Sequence, residues 1–178
     1  MANWNVCFDW LLDNEDLLRA YATVKDSCPK GIKGPCFAIS GVNSGAWPAW
    51  FAAIDSAPYK EDRARMVERF YQKNFWNQWF DQITSDEVAK RVFDMAVNGG
   101  AGTSTRLLQQ AVNSFHVGNP LVVDGGWGPK TVNAANLCNP LTLVAAFQNQ
   151  REDHYRAIVV ANPADAKYLA GWLARARR

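Results

Sequence analysis

The stretch Trp4-Asn5-Val6-Cys7-Phe8-Asp9-Trp10-Leu11-Leu12-Asp13-Asn14-Glu15 sets the reading of this chain. Trp4, Cys7, Phe8, Leu11 and Leu12 recur at spacings of three and four, the pattern of an amphipathic helix, here predicted over about residues 3–16. One more turn along the apolar stripe lands on Glu15. The neighbouring acids Asp13 and Asp16 project onto other faces and are expected to stay in water. A carboxylate at the inner end of an apolar stripe is partly desolvated, and desolvation disfavours its charged form. That is the condition a general acid needs near neutral pH. The plainer alternative is a frayed helix end that leaves Glu15 on the surface.

Beyond this helix, Pro29, Gly31, Gly34, Pro35 and Gly41 interrupt residues 20–43, which predicts a long loop or a short irregular hairpin. Helical spacing resumes over 62–82, with Met66, Val67, Phe70 and Tyr71 on one side and Phe75, Trp76 and Trp79 beyond. Ser85 is placed to cap the next helix, which turns Val88, Val92, Met95 and Ala96 inward and stops at Gly99-Gly100. Residues 103–113 carry Leu107, Leu108, Ala111 and Val112. A glycine-rich turn follows at Val123 to Pro129, where Asp124 can accept from the backbone N–H groups after it. Residues 140–160 and 163–175 complete the helices. The prediction is a mainly α chain with room for a small sheet.

With 178 residues, the chain suffices for one compact domain or a domain with a small appended lobe. Apolar residues make up 48% and charged residues 20%, which excludes a disordered chain. Apolar runs such as Ala157 to Ala161 are too short to span a bilayer, so no integral membrane protein is expected. Lys plus Arg number 19 against 17 acids, and Arg175 to Arg178 holds the one basic cluster, which argues against a nucleic-acid binder. The four cysteines show no Cys-x-x-Cys spacing, and His116 and His154 stand far apart. No metal site or cofactor is expected. Cys7 reads as a core residue. Cys28 and Cys36 flank a Pro/Gly/Lys loop, either bridged in an oxidising compartment or reduced in the cytosol. The N-terminus lacks the basic-then-apolar pattern of a secretory signal.

Phe37-Ala38-Ile39-Ser40-Gly41-Val42-Asn43-Ser44 is a short β-like run broken by glycine and closed by two small polar groups. Glycine permits close backbone approach, and Asn43 and Ser44 offer hydrogen bonds to sugar hydroxyls or amides. A glutamate closing an N-terminal helix, a loop, then this Gly-hydrophobic-Asn run resembles glycoside hydrolase family 108, the lysozyme-like N-acetylmuramidases. Phe70 to Trp76 resembles that family's Tyr-x-x-x-Tyr/Phe-Trp helix. Arg91 to Gly100 resembles its Phe-Asp-x-Ala-Val-Asn-x-Gly helix end, followed by Leu107-Leu108-Gln109. Val123 to Thr131, Arg151 to Tyr155 and Gly171-Trp172-Leu173 resemble the peptidoglycan-binding tail commonly fused to it. Two stretches depart from the family. Glu-Gly-Gly-Tyr is here Glu15-Asp16-Leu17-Leu18, and Asp-Pro-Gly-Gly-x-Thr is replaced by Asp26-Ser27-Cys28-Pro29 and a Lys/Gly loop.

The resemblance implies a lysozyme-like α+β fold with a small irregular β region near residues 20–45. It implies a catalytic region over 1–100 and a helical peptidoglycan-binding region over 101–178. Glu15 carries over as the general acid and Asp26 is the nearest candidate for the second group, with Ser27 and Ser40 weaker. Asn43, Ser44, Tyr71, Asp94 and Asn98 are candidates for gripping glycan, although Asp94 and Asn98 are equally placed to brace the glycine stop. Trp47 or Trp50 could line a sugar subsite, while Trp10, Trp79 and Trp172 read as core or half-buried. The implied activity cuts the β-1,4 bond between N-acetylmuramic acid and N-acetylglucosamine. Two alternatives stay open: a lytic transglycosylase giving anhydro products, and a wall-binding module without catalysis. The implied partner is the peptidoglycan glycan strand. A monomer is expected, made in the cytoplasm, exported with help from a holin or a secretion system, and acting in the periplasm or on the cell wall.

Overall fold

The computed structural model describes residues 1–116 and 119–178. They form two compact units, Phe8–Trp76 and Met1–Cys7 with Asn77–Arg178. The first helix, α1, spans Trp4–Glu15, within a residue of its expected ends.

In the Phe8–Trp76 unit, the interrupted segment is a three-stranded antiparallel sheet: β1 (Val24–Asp26), β2 (Cys36–Ile39) and β3 (Val42–Asn43), in that order. Ile39 pairs with Val42, so β2 and β3 are joined by the two residues Ser40 and Gly41. Both have positive φ, +46° and +81°, as a type I′ hairpin turn requires. Asp26 pairs with Cys36, and a Cys28–Cys36 disulfide ties the β1–β2 connection to β2. Two helices complete the unit, α2 (Pro48–Ser56) and α3 (Lys60–Asn74). The sequence pattern predicts no helix at α2, yet Pro48 at its opening turn is a start signal, since the missing N–H is not needed there. The core of the unit is Phe8, Leu11, Leu12, Ile39, Val42, Ile54, Val67, Phe70 and Tyr71, all buried. Trp47 and Trp50 set their edges against Phe70, with ring centroids 5.1 and 5.6 Å apart, so these half-buried indoles brace the core.

The other unit is helical. Its elements are a 3-10 turn (Phe80–Gln82), α4 (Asp86–Gly99), α5 (Ala101–Asn113), α6 (Pro129–Leu137), α7 (Pro140–Ala161), a second 3-10 turn (Pro163–Asp165) and α8 (Ala166–Arg177). The single helix expected over 62–82 is thus broken after Asn74. Ser85 stands at the N-cap of α4 without a side-chain capping bond, while Gly100, at φ +86°, separates α4 from α5. Helix α6, which the pattern likewise does not predict, opens on Pro129. Cys7 is fully buried here, and burial pushes its thiol up to about 12, with Asp86 adding to the effect. The glycine-rich turn is structural. The Gln109 side chain donates to Asp124 Oδ1 at 2.9 Å, and the Gly126 N–H donates to the same oxygen at 2.8 Å.

Asp94 and Arg151 form a fully buried ion pair at 2.6 Å. Arg175 closes on the second Asp94 oxygen, with Nη2 at 2.7 Å. Removing either partner of such a pair strands a charge in a low dielectric, which makes it an anchor between α4, α7 and α8. Among the described residues no helix is long and apolar enough to cross a membrane.

Candidate active site

Helix α1 ends at Glu15. Arg19 and Tyr21 both adopt positive φ, and the Arg19 guanidinium donates to the Asp9 and Asp16 carbonyls at 2.8 and 3.1 Å. A cation near the C-terminal end of a helix complements the helix dipole. Arg19 also pairs with Asp13 at 2.8 Å.

Asp16, expected in water, is instead half-buried and fully engaged. Its Oδ1 accepts from the Ala20 N–H at 2.9 Å; its Oδ2 accepts from the Tyr21 N–H at 2.7 Å and from the Ser40 hydroxyl at 2.7 Å. Burial raises its pKa, but the bonds from Ser40, Tyr21 and Ala20 and the charge of Arg19 outweigh it and hold the carboxyl below its ordinary value. The end of α1 is therefore fastened to the tip of the β2–β3 hairpin.

Glu15 is half-buried at this junction. A Cβ added to Gly41 would lie 2.6 Å from Glu15 Oε2 and would collide with the Tyr71 hydroxyl. The bare α-carbon of Gly41 thus leaves the space that the Glu15 carboxylate and the Tyr71 hydroxyl occupy together. Tyr71 comes from α3, is buried, and donates its hydroxyl to the Ser40 carbonyl at 2.8 Å. Its ring leans on Phe8 and Phe70, at centroid distances of 6.0 and 5.0 Å. Tyr71 therefore supports the hairpin from beneath; its buried ring is not presented as a surface for a sugar.

Asp26 ends β1 and is exposed. Asn43 donates from Nδ2 to Asp26 Oδ2 at 2.7 Å and to the Ser27 carbonyl at 2.9 Å, and the Ser27 N–H donates to Asp26 Oδ1 at 2.7 Å. The other end of the Asn43 amide accepts from the Gly45 and Ala46 N–H groups at 2.8 and 3.2 Å. Ser44 Oγ accepts from the Phe37 N–H at 3.0 Å. The polar groups expected to grip glycan at 43–44 thus also hold Asp26 and the strand ends. Asn43 consumes its amide in doing so.

Asp94 and Asn98 lie in the other unit. Asp94 has no exposed surface and serves the arginine anchor; Asn98 donates to the Tyr155 hydroxyl at 2.6 Å. Among the described residues no group of three or more His, Cys, Asp and Glu side chains is arranged to hold a metal ion.

The residues the sequence reading passed over are Asp16 and the turn geometry of Ser40-Gly41. A Ser-Gly pair between two short apolar runs is a hairpin signal that could have found the turn. No sequence signal marks Asp16, because its partners lie four, five and twenty-four residues away.

Residues 38–100 match the Glycosyl hydrolase 108 family, and residues 103–177 match the Predicted Peptidoglycan domain. The first match contains Ser40, Gly41, Asn43 and Tyr71 and begins after Glu15 and Asp26. No curated protein matches the chain. Among solved structures, the fold is similar to that of Brucella abortus SagA, with a TM-score of 0.64 at 18% identity, covering 98% of this chain and 90% of that one.

Proposed function

We propose that this chain, a peptidoglycan-active glycoside hydrolase with a Glycosyl hydrolase 108 region followed by a peptidoglycan-binding region, is an N-acetylmuramidase of the lysozyme type with Glu15 as its general acid. The bond cut is the β-1,4 linkage between N-acetylmuramic acid and N-acetylglucosamine. The observation that carries this reading is the Glu15 carboxylate, set at the inner end of α1 against the α-carbon of Gly41. Breaking a glycosidic bond needs a proton on the leaving oxygen and relief of the oxocarbenium-like charge that develops on the sugar. Glu15 delivers the proton. Asp26, oriented by Asn43 and Ser27, activates water or stabilises the positive charge. Residues 1–100 then form the catalytic region and 101–178 retain the enzyme on the wall, in the periplasm or at the cell surface.

The test uses bare peptidoglycan with the whole protein and its Glu15→Gln variant, following turbidity and the masses of released fragments. Wild-type protein is expected to release fragments with reducing muramic acid ends. The variant should be slower by about a hundredfold or more, the span general acids typically supply. Anhydro-muramyl ends would replace the hydrolase with a transglycosylase that uses the muramyl 6-hydroxyl as nucleophile. Binding without any fragments would leave only a wall-binding module, and undiminished lysis by the variant would move the acid elsewhere.

A further inference from the structure

We infer that Asp16 is a positioning residue for the Glu15 acid: its carboxylate ties the end of α1 to the hairpin tip and so sets where the Glu15 carboxyl stands against Gly41. The inference rests on the reading of Glu15 as the acid.

Three donors converge on Asp16. Two of them, the Ala20 and Tyr21 N–H groups at 2.9 and 2.7 Å, belong to the turn that leaves α1. The third, the Ser40 hydroxyl at 2.7 Å, belongs to the hairpin. Asp16 follows Glu15 in the chain, and Ser40 precedes Gly41, whose α-carbon meets the Glu15 carboxylate. One carboxylate therefore spans the two backbones that define the Glu15 position, one residue from the critical atom on each side. The Tyr71 hydroxyl holds the Ser40 carbonyl from α3 at 2.8 Å. Ser40 is thus gripped through its side chain by Asp16 and through its backbone by Tyr71. This double grip explains how a non-glycine residue is kept at φ +46°.

Asp16 does not act as a proton donor itself. Its two oxygens are occupied by three donors, and each donor favours the ionised carboxylate. Hydrogen bonds to a charged acceptor are short and strong, which suits a fixed brace. The resemblance to the muramidase family places a glycine directly after its glutamate, so this brace belongs to the present chain and is not inherited from the motif. Cutting the Asp16–Ser40 link frees the hairpin tip to drift from the helix end. A displacement of about 1 Å at a reacting group costs on the order of a hundredfold in rate.

The experiment compares wild type with Asp16→Ala, Ser40→Gly and Glu15→Gln. For each it measures kcat and KM for fragment release from peptidoglycan, sedimentation with peptidoglycan, and the melting midpoint. Ser40→Gly is the cleaner variant, because glycine adopts the positive φ freely while the hydroxyl brace is lost. Expected results are a kcat at least tenfold lower in Asp16→Ala and at least threefold lower in Ser40→Gly, with KM within twofold. Sedimentation stays unchanged, and the Ser40→Gly midpoint is not lowered. A kcat within twofold of wild type in Ser40→Gly overturns the inference, as does a loss carried by KM. If Asp16→Ala does not fold, Ser40→Gly decides alone. Full activity in Glu15→Gln would instead overturn the reading of Glu15. An inactive Glu15→Gln beside fully active Asp16→Ala and Ser40→Gly would overturn only the role given to Asp16.

Discussion

Replacing Gly41 with alanine puts one methyl group where two functional side chains already stand. The new Cβ would lie 2.6 Å from Glu15 Oε2 and 3.1 Å from its Cδ, and would collide with the Tyr71 hydroxyl. The two neighbours respond differently. Glu15 is a flexible side chain and swings away. Tyr71 is a buried ring wedged among Phe8, Phe70 and Phe75, so its hydroxyl moves only by giving up the bond to the Ser40 carbonyl. The backbone adds to the cost, since φ at position 41 is +81° and a left-handed L-residue costs roughly 1–2 kcal/mol. Overpacking and a lost hydrogen bond bring the total to about 3 kcal/mol, a fall of about 6–12 °C in melting midpoint for a chain of this size. With Glu15 as the proposed acid, activity should fall by about a hundredfold, because a displaced carboxyl would no longer meet the glycosidic oxygen in line. The assay is reducing-end release from peptidoglycan, with thermal melts run in parallel. Gly171→Ala is the control. Nothing outside its own helix turn lies within 4 Å of that added Cβ, and inside α8 alanine should stabilise by about 0.5–1 kcal/mol. A Gly41→Ala protein with the wild-type midpoint and activity within threefold of wild type would refute this account of the site.

Three further outcomes are expected. Reducing the Cys28–Cys36 bond, or replacing both cysteines with serine, releases a loop of eight residues' separation and should lower stability by about 2.5 kcal/mol, read as a shifted urea midpoint; an unmoved midpoint would count against it. Asp94→Asn should destabilise by about 3–5 kcal/mol, because it leaves the buried Arg151 guanidinium without its counter-charge; denaturant melts check this. The Asp16 carboxyl is held below its ordinary value in the folded chain. Its stabilising contribution is therefore complete above the unfolded value of about 3.9, and is lost as pH falls below that towards the lower folded value. The difference in midpoint between wild type and Asp16→Asn should be constant from neutral pH to about 4 and shrink at lower pH, and a difference that grows on acidification would contradict the sign.

Helices α1, α4 and α7 were legible to within a few residues, because they run for twelve residues or more and bury side chains at helical spacings. Helices α2 and α6 were passed over because they are only nine residues each, too short for periodicity to speak, although Pro48 and Pro129 mark their starts. The interruption after Asn74 was hidden for a related reason. Phe75, Trp76 and Trp79 keep an apolar rhythm that a helix would also produce, and periodicity does not report where a chain leaves the helix.

At the site, the inward course of Glu15 followed from counting along one helix, and the turn at 40–41 was within reach of its Ser-Gly pair. The roles of Asn43 and Tyr71 were not. Asn43 follows Gly41 in the β-like run and Tyr71 lies in the stretch that resembles the family's helix, and the donors of such side chains suit a ligand or the protein equally well. Which one takes them depends on what folds alongside, here Asp26 and the Ser40 carbonyl.

What the sequence determined alone is periodic and local: the helical class, the inner stripe that ends at Glu15, and the order of motifs that places a hydrolase region before a peptidoglycan-binding one. What only the tertiary structure decided is the frame around that glutamate. It joins Asp16, Ser40, Gly41 and Tyr71 from three separate segments, and its meaning resides in a missing Cβ and a shared carboxylate. Residue spacing encodes which face of an element turns inward. It carries no record of which two inward faces meet, because that is settled by packing between elements distant in the chain.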